Sequence, residues 1–163
     1  MMIISNATPL IAFARIRQLA LLQAVTQGVV IPQAVADEIA NYSGAPCYGS
    51  IDLAQESWIT VQAVRSDAHI RLLLPTLDRG EAEVIALALA CHPGMILMDE
   101  LTGRKVAESL RLPIVGSAGI LLRAKQMGMI TQVKPFLDDM LRCGIRYSQR
   151  FIAALLQQIG EVP

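Results

Sequence analysis

The sequence predicts an α/β domain built on a mainly parallel sheet, and three observations carry that expectation. Short runs rich in Ile and Val alternate with helix-patterned stretches along the chain, the order expected of β-α crossover units. The 163 residues are one domain long and 53% apolar, enough to bury a sizeable core. Aromatic residues make up only 4%, so that core must be built from Leu, Ile, Val and Ala.

Strands are expected at 2–5, 28–31, 95–98 and 113–115, with a weaker one at 58–63. The first helical stretch, 8–24, is broken near Arg15-Ile16-Arg17, and helices follow at 33–41, 79–91, 101–110, 117–127, 132–143 and 148–159. Gly128, Gly144 and Gly160 stand where C-terminal caps belong, and Ser148 suits the start of the last helix. The stretch 42–57, with Gly44, Pro46 and Gly49, is the least regular. Without repeats or a long linker, residues 1–163 read as a single domain, with C-terminal helices from about 131.

Two uncharged runs, 18–36 and 84–98, are too polar or too short for a membrane helix of ~18 apolar residues, and no basic region precedes an apolar leader. The expected location is the cytoplasm. Cys47, Cys91 and Cys143 are odd in number and lack C-x-x-C spacing, which argues against a disulfide framework or a zinc site. Net charge is zero, yet residues 1–100 hold five Lys/Arg against ten Asp/Glu, while 101–163 hold nine against four. The resulting −5 and +5 read either as a chance surface distribution or as a cation site beside a face for a polyanion.

The strand at 95–98 runs into Asp99-Glu100, and other polar residues recur at comparable places: Asn6 after the first strand, Glu38 after the second, and Glu81 with Glu83 after Gly80. An α/β sheet that gathers carboxylates at one edge suits a hard divalent cation. Glu81 precedes Val84, Ile85 and Ala88 by helical spacing and shares the face that packs on the sheet, whereas Glu83 lies about 200° around the helix. By the same spacing Glu38 turns inward and Asp37 outward. Simpler roles compete: Asn6 and Asp99 suit helix caps, and Asp78-Arg79-Gly80-Glu81 suits a capping box. Glu38, mid-helix, has no such role. Thr8 and Ser117 either orient water or phosphate at this edge or bond to local backbone.

These residues resemble the PIN-domain superfamily, in particular an uncharacterised prokaryotic PIN-like branch described as nucleic-acid-binding and toxin-like. The likeness runs through Ile4-Ser5-Asn6-Ala7-Thr8-Pro9-Leu10-Ile11-Ala12, Ile31-Pro32 leading to Glu38, and Gly80-Glu81-Ala82-Glu83-Val84-Ile85-Ala86-Leu87-Ala88. It continues in Leu97-Met98-Asp99-Glu100 and in Gly116-Ser117-Ala118-Gly119-Ile120-Leu121-Leu122-Arg123-Ala124-Lys125.

The resemblance implies a three-layer α/β/α sandwich and Mg²⁺- or Mn²⁺-dependent hydrolysis of RNA phosphodiester bonds. Carried over by motif, the metal ligands are Asn6, Glu38, Glu81 or Glu83, and Asp99, with Glu100 as an extra ligand; Glu38, Glu81 and Asp99 are the catalytic candidates. Arg104, Lys105, Arg123 and Lys125 are either candidates for the RNA backbone or a solvated helix face. The resemblance also implies an antitoxin protein partner and a homodimer. Asn6 departs from the superfamily's usual Asp and supplies no charge.

A PIN-like binding module without catalysis is the alternative. A flavodoxin-like nucleotide binder lacks support, because no strand leads into G-x-G-x-x-G or a Walker sequence. The stripe Ile152, Leu155, Leu156 and Ile159 suits either a dimer or partner surface or closure of the core.

Overall fold

Every sheet contact links strands by crossovers rather than hairpins. In a computed structural model describing residues 1–42 and 49–162, the strands are β1 (Ile3–Ser5), β2 (Val29–Pro32), β3 (Ile59–Gln62), β4 (Met95–Leu97) and β5 (Ile114–Val115). All pair in parallel in the order β3-β2-β1-β4-β5. Ile4 lies opposite Val30 on one side and Ile96 on the other. β1 and β4 are buried along their length, which explains their unbroken apolar sequence.

Two helices, α1 (Ala7–Arg15) and α2 (Leu19–Thr26), occupy the first helical stretch, and the break falls where expected, with Arg17 left-handed at φ 58°. The remaining helices are α3 (Gln33–Asn41), α4 (Asp67–Leu73), α5 (Arg79–Cys91), α6 (Leu101–Ser109), α7 (Ser117–Gln126), α8 (Lys134–Arg142) and α9 (Gln149–Gln158). The sheet is the middle layer of an α/β/α sandwich. Helices α1, α2 and α7 pack on one another, while α5 lies on β1 and β2 and is flanked by α3 and α4.

Helix α4 was not expected. Ser66 caps it by accepting from His69 N, but Ile70 is its one buried residue, so the sequence carries no apolar stripe there. Of the irregular stretch 42–57, residues 43–48, including Cys47, Gly44 and Pro46, lie outside the described residues. Cys91 and Cys143 are free thiols.

The stripe on α9 closes the core: Leu156 is buried, and Ile152, Leu155 and Ile159 pack against the main cluster. Beyond α9, Glu161 ties the chain down. Its Oε2 accepts from Lys125 Nζ at 2.8 Å and from Val133 N at 2.8 Å, and Oε1 accepts from Lys134 N at 3.0 Å. Burial raises the Glu161 carboxyl, but Lys125 and the two N–H donors outweigh that and hold it below its ordinary value. Among the described residues no helix is long and apolar enough to cross a membrane.

Successive crossovers run outward in opposite directions from β1, toward β2 and β3 and toward β4 and β5. The switch therefore falls between β1 and β4, the point at whose carboxyl end open α/β sheets bind their ligands. Asn6 follows β1 and Asp99-Glu100 follow β4, so both flank that point.

Candidate active site

Asn6 is the N-cap of α1, and it makes no side-chain cap bond. Instead its Nδ2 donates to Glu100 Oε2 at 3.0 Å across the β1–β4 junction, and Thr8 Oγ1 donates to Glu100 Oε1. With its nitrogen committed to a carboxylate, the amide must turn its oxygen the other way. Asn6 Oδ1 is buried there and, among the described residues, accepts no hydrogen bond.

Glu38 reaches the same place from α3. A methyl group at Gly80 would lie 2.1 Å from Glu38 Oε1 and 3.5 Å from Asn6 Oδ1, so the missing Cβ of Gly80 is what lets the Glu38 carboxylate approach. Glu38 is not engulfed as the spacing argument expected; it is exposed at the mouth, as is Asp37, and only its carboxylate turns inward. Partial loss of hydration, then the charges of Asp78, Glu100 and Glu81, push its carboxyl up to about 7.

Glu81 is buried and completes the capping box: its Oε2 accepts from Asp78 N at 3.0 Å while Asp78 Oδ1 accepts from Glu81 N at 2.8 Å. Burial chiefly raises its carboxyl, the Asp78 N–H opposes that, and the charges of Asp78 and Glu100 add to it. Asp78 is thus a member of the acidic group that the metal-ligand reading did not include, although its place in the capping box was visible. Among the described residues, no ion pair reaches Glu38, Asp78, Glu81 or Glu100.

The other acids sit apart. Glu83 is also buried, but it points to α3, where it accepts from Ala34 N at 3.1 Å and pairs with Arg79 at 2.6 Å. It satisfies a first-turn N–H of that helix. Asp99 does not cap α6, whose N-cap is Glu100. Its Oδ1 accepts from Ser117 N at 2.7 Å and its Oδ2 from Ser117 Oγ at 2.5 Å. Burial raises Asp99, the Ser117 bonds oppose it, Glu100 adds to it and Arg104 opposes it. Thr8 and Ser117 therefore hold carboxylates rather than local backbone.

A family model described as DUF3368, a PIN domain, matches residues 2–161. The chain belongs to the PIN-domain family. No curated protein and no solved structure gives a significant match. The PIN domain is a nuclease-type fold, and its members generally use divalent metal ions and act on nucleic acid. In this PIN domain, no three Asp, Glu, His or Cys side chains among the described residues are grouped as ready-made metal ligands. The donors present still fit a hard cation. They are all oxygens, they carry uncompensated charge, and one is a buried amide oxygen with nothing to accept. Leaving such an acceptor unpaired costs about 1–3 kcal/mol, which a bound cation would relieve.

The four basic candidates separate in the same way. Arg104 is half-buried at the edge of the site and donates from Nη1 to Met98 O at 3.1 Å. Lys105 and Arg123 are exposed. Lys125 is engaged with Glu161 at 2.8 Å.

Proposed function

We propose that this PIN domain is a metal-dependent ribonuclease that hydrolyses RNA phosphodiester bonds with Mg²⁺ or Mn²⁺. The single observation that carries the reading is the buried, unpaired Asn6 Oδ1 beside the Glu38 carboxylate. Asn6, Glu38 and Glu100 would hold the ion, with Glu81 and Asp78 supplying further negative charge. When bound, such an ion polarises a phosphoryl oxygen and lowers the pKa of bound water. Asn6 Nδ2 and Thr8 Oγ1 fix the orientation of Glu100, and the capping box fixes Glu81. Asp99, with both oxygens on Ser117, positions the start of α7 and adds charge at the same edge. Glu83 is structural in this reading.

The test is cleavage of single-stranded RNA with and without metal. Activity is expected to require Mg²⁺ or Mn²⁺, to vanish in Glu38→Gln and Asp99→Asn, and to persist in Glu83→Gln. Retained cleavage by Glu38→Gln, with contaminating nuclease excluded, refutes the reading. Its finer terms are a cytoplasmic toxin, a restraining antitoxin protein and a homodimer. Expression of the wild type, and not of Glu38→Gln, is then expected to arrest growth, and sedimentation should give twice the chain mass.

A second reading, a PIN-like binding module without catalysis, draws on the neutral Asn6 and on the absence of a grouped ligand set among the described residues. Titration calorimetry with Mn²⁺ separates the two. Absence of both heat and thermal stabilisation at millimolar metal supports the binding module.

A further inference from the structure

Beside the acids, the carboxyl edge of β4 and β5 opens into a cleft of about 690 Å³, whose otherwise mainly apolar lining includes Asp99, Arg104, Gly116, Arg146, Tyr147 and Phe151. That volume lies within the range of small-molecule pockets. Two features of its wall point to a ligand. Tyr147 and Phe151 stack with ring centroids 5.7 Å apart, and Phe151 is 45% exposed. Among the described residues neither Arg104 nor Arg146 forms an ion pair and Arg146 makes no hydrogen bond, while Arg104 donates to Met98 O and lowers the Asp99 carboxyl. Asp99, the one acid in the lining, is already held by Ser117.

We propose that this cleft receives the base of a nucleotide flanking the scissile phosphate, with the base against Phe151 and its phosphate between Arg104 and Arg146. The proposal rests on the nuclease reading, because Asp99 lines the cleft and its neighbour Glu100 belongs to the acid cluster, so one strand of RNA spans both. An apolar peptide would strip water from the Arg146 guanidinium without pairing it, at a cost a phosphate does not incur. Any base offers a π-face to Phe151, so the contact holds a strand without dictating its sequence. The same pair of features places cationic charge next to an anionic cluster, which orients a phosphodiester: flanking phosphate toward the arginines, scissile phosphate toward the metal ligands.

The experiment is a fluorescence titration of a short single-stranded RNA carrying 2-aminopurine, in EDTA so that no cleavage occurs. Wild type is expected to bind with quenching. Phe151→Ala and Arg146→Ala should each weaken binding about tenfold, and Phe151→Tyr should restore it. Both substitutions are at exposed positions, and matching thermal melts establish that the variants fold. The proposal is overturned if wild type does not bind, if Phe151→Ala and Arg146→Ala bind like wild type, or if only an apolar peptide occupies the cleft. Binding with these dependences but no cleavage in Mn²⁺ leaves the cleft assigned and removes the nuclease reading instead.

Discussion

Asn6 Nδ2 donates to Glu100 Oε2 at 3.0 Å, and this bond decides which way the Asn6 amide faces. It joins the ends of the two strands that flank the switch point and leaves Oδ1 buried without a donor. An aspartate at position 6 would instead set two carboxylates against each other.

Asn6→Asp should therefore separate metal-free stability from metal response. Without metal, losing the bond and gaining a like charge should cost about 1–3 kcal/mol, read as a fall of several degrees in Tm. With Mn²⁺ the variant should gain more Tm than wild type does. An equal metal-induced shift in both proteins would place the ion elsewhere.

Gly80→Ala should leave the fold intact and disable the site. A methyl there meets Glu38 Oε1 at 2.1 Å, and that oxygen ends a flexible side chain, so the carboxylate moves rather than the helix. Alanine also favours a helix over glycine by up to about 1 kcal/mol. Urea melts should show equal or higher stability, while Mn²⁺ stabilisation is lost.

Metal-free stability should fall as pH rises between about 4.5 and about 7. Glu38 sits near 4.5 when unfolded and about 7 when folded, so in that interval the folded chain holds its proton more tightly. Its contribution is complete below the lower value and gone above the upper one. Because Glu38 is open to water the effect is small, and the difference between wild type and Glu38→Gln in thermal melts isolates it. Stabilisation by Mn²⁺ should grow over the same interval, since the ion requires ionised carboxylates.

Glu83→Gln tests the division of labour on α5. It weakens the pairing with Arg79 and the cap on Ala34 N, so a loss of about 1 kcal/mol is expected in denaturant melts. Mn²⁺ binding measured by calorimetry should be unchanged. A large loss of affinity would return Glu83 to the ligand set.

Glu161→Gln should loosen the C-terminal helices by about 1–2 kcal/mol, because a buried carboxylate serving Lys125 and the first turn of α8 loses its charge. Its carboxyl is held low, so the stabilisation is present above its ordinary value of 4.5 and fades as pH falls through the folded value. Wild type and variant should converge in acid, as followed by urea titration.

Apolar patterning pointed to the five strands, the break after α1 and eight of the nine helices now described, because most of those elements bury a stripe or a whole strand; β3, which buries only Ile59, carried the weakest signal. Helix α4 escaped that logic: it buries Ile70 alone and lacks the apolar stripe that Ile152, Leu155 and Ile159 build around the one buried residue of α9, Leu156. The same spacing singled out Glu38 and separated Glu81 from Glu83. It could not show that Glu83 is buried too, because the helix α3 covering that side of α5 is remote in sequence. Nor could it say which of the adjacent acids Asp99 and Glu100 turns toward Asn6. Both lie past the last strand residue, Leu97, where strict alternation no longer applies, and the choice falls to Thr8 and Asn6 on one side and Ser117 on the other. Residue order fixed which groups were available; only the packing of β1 against β4 decided which of them meet and which one is left without a donor.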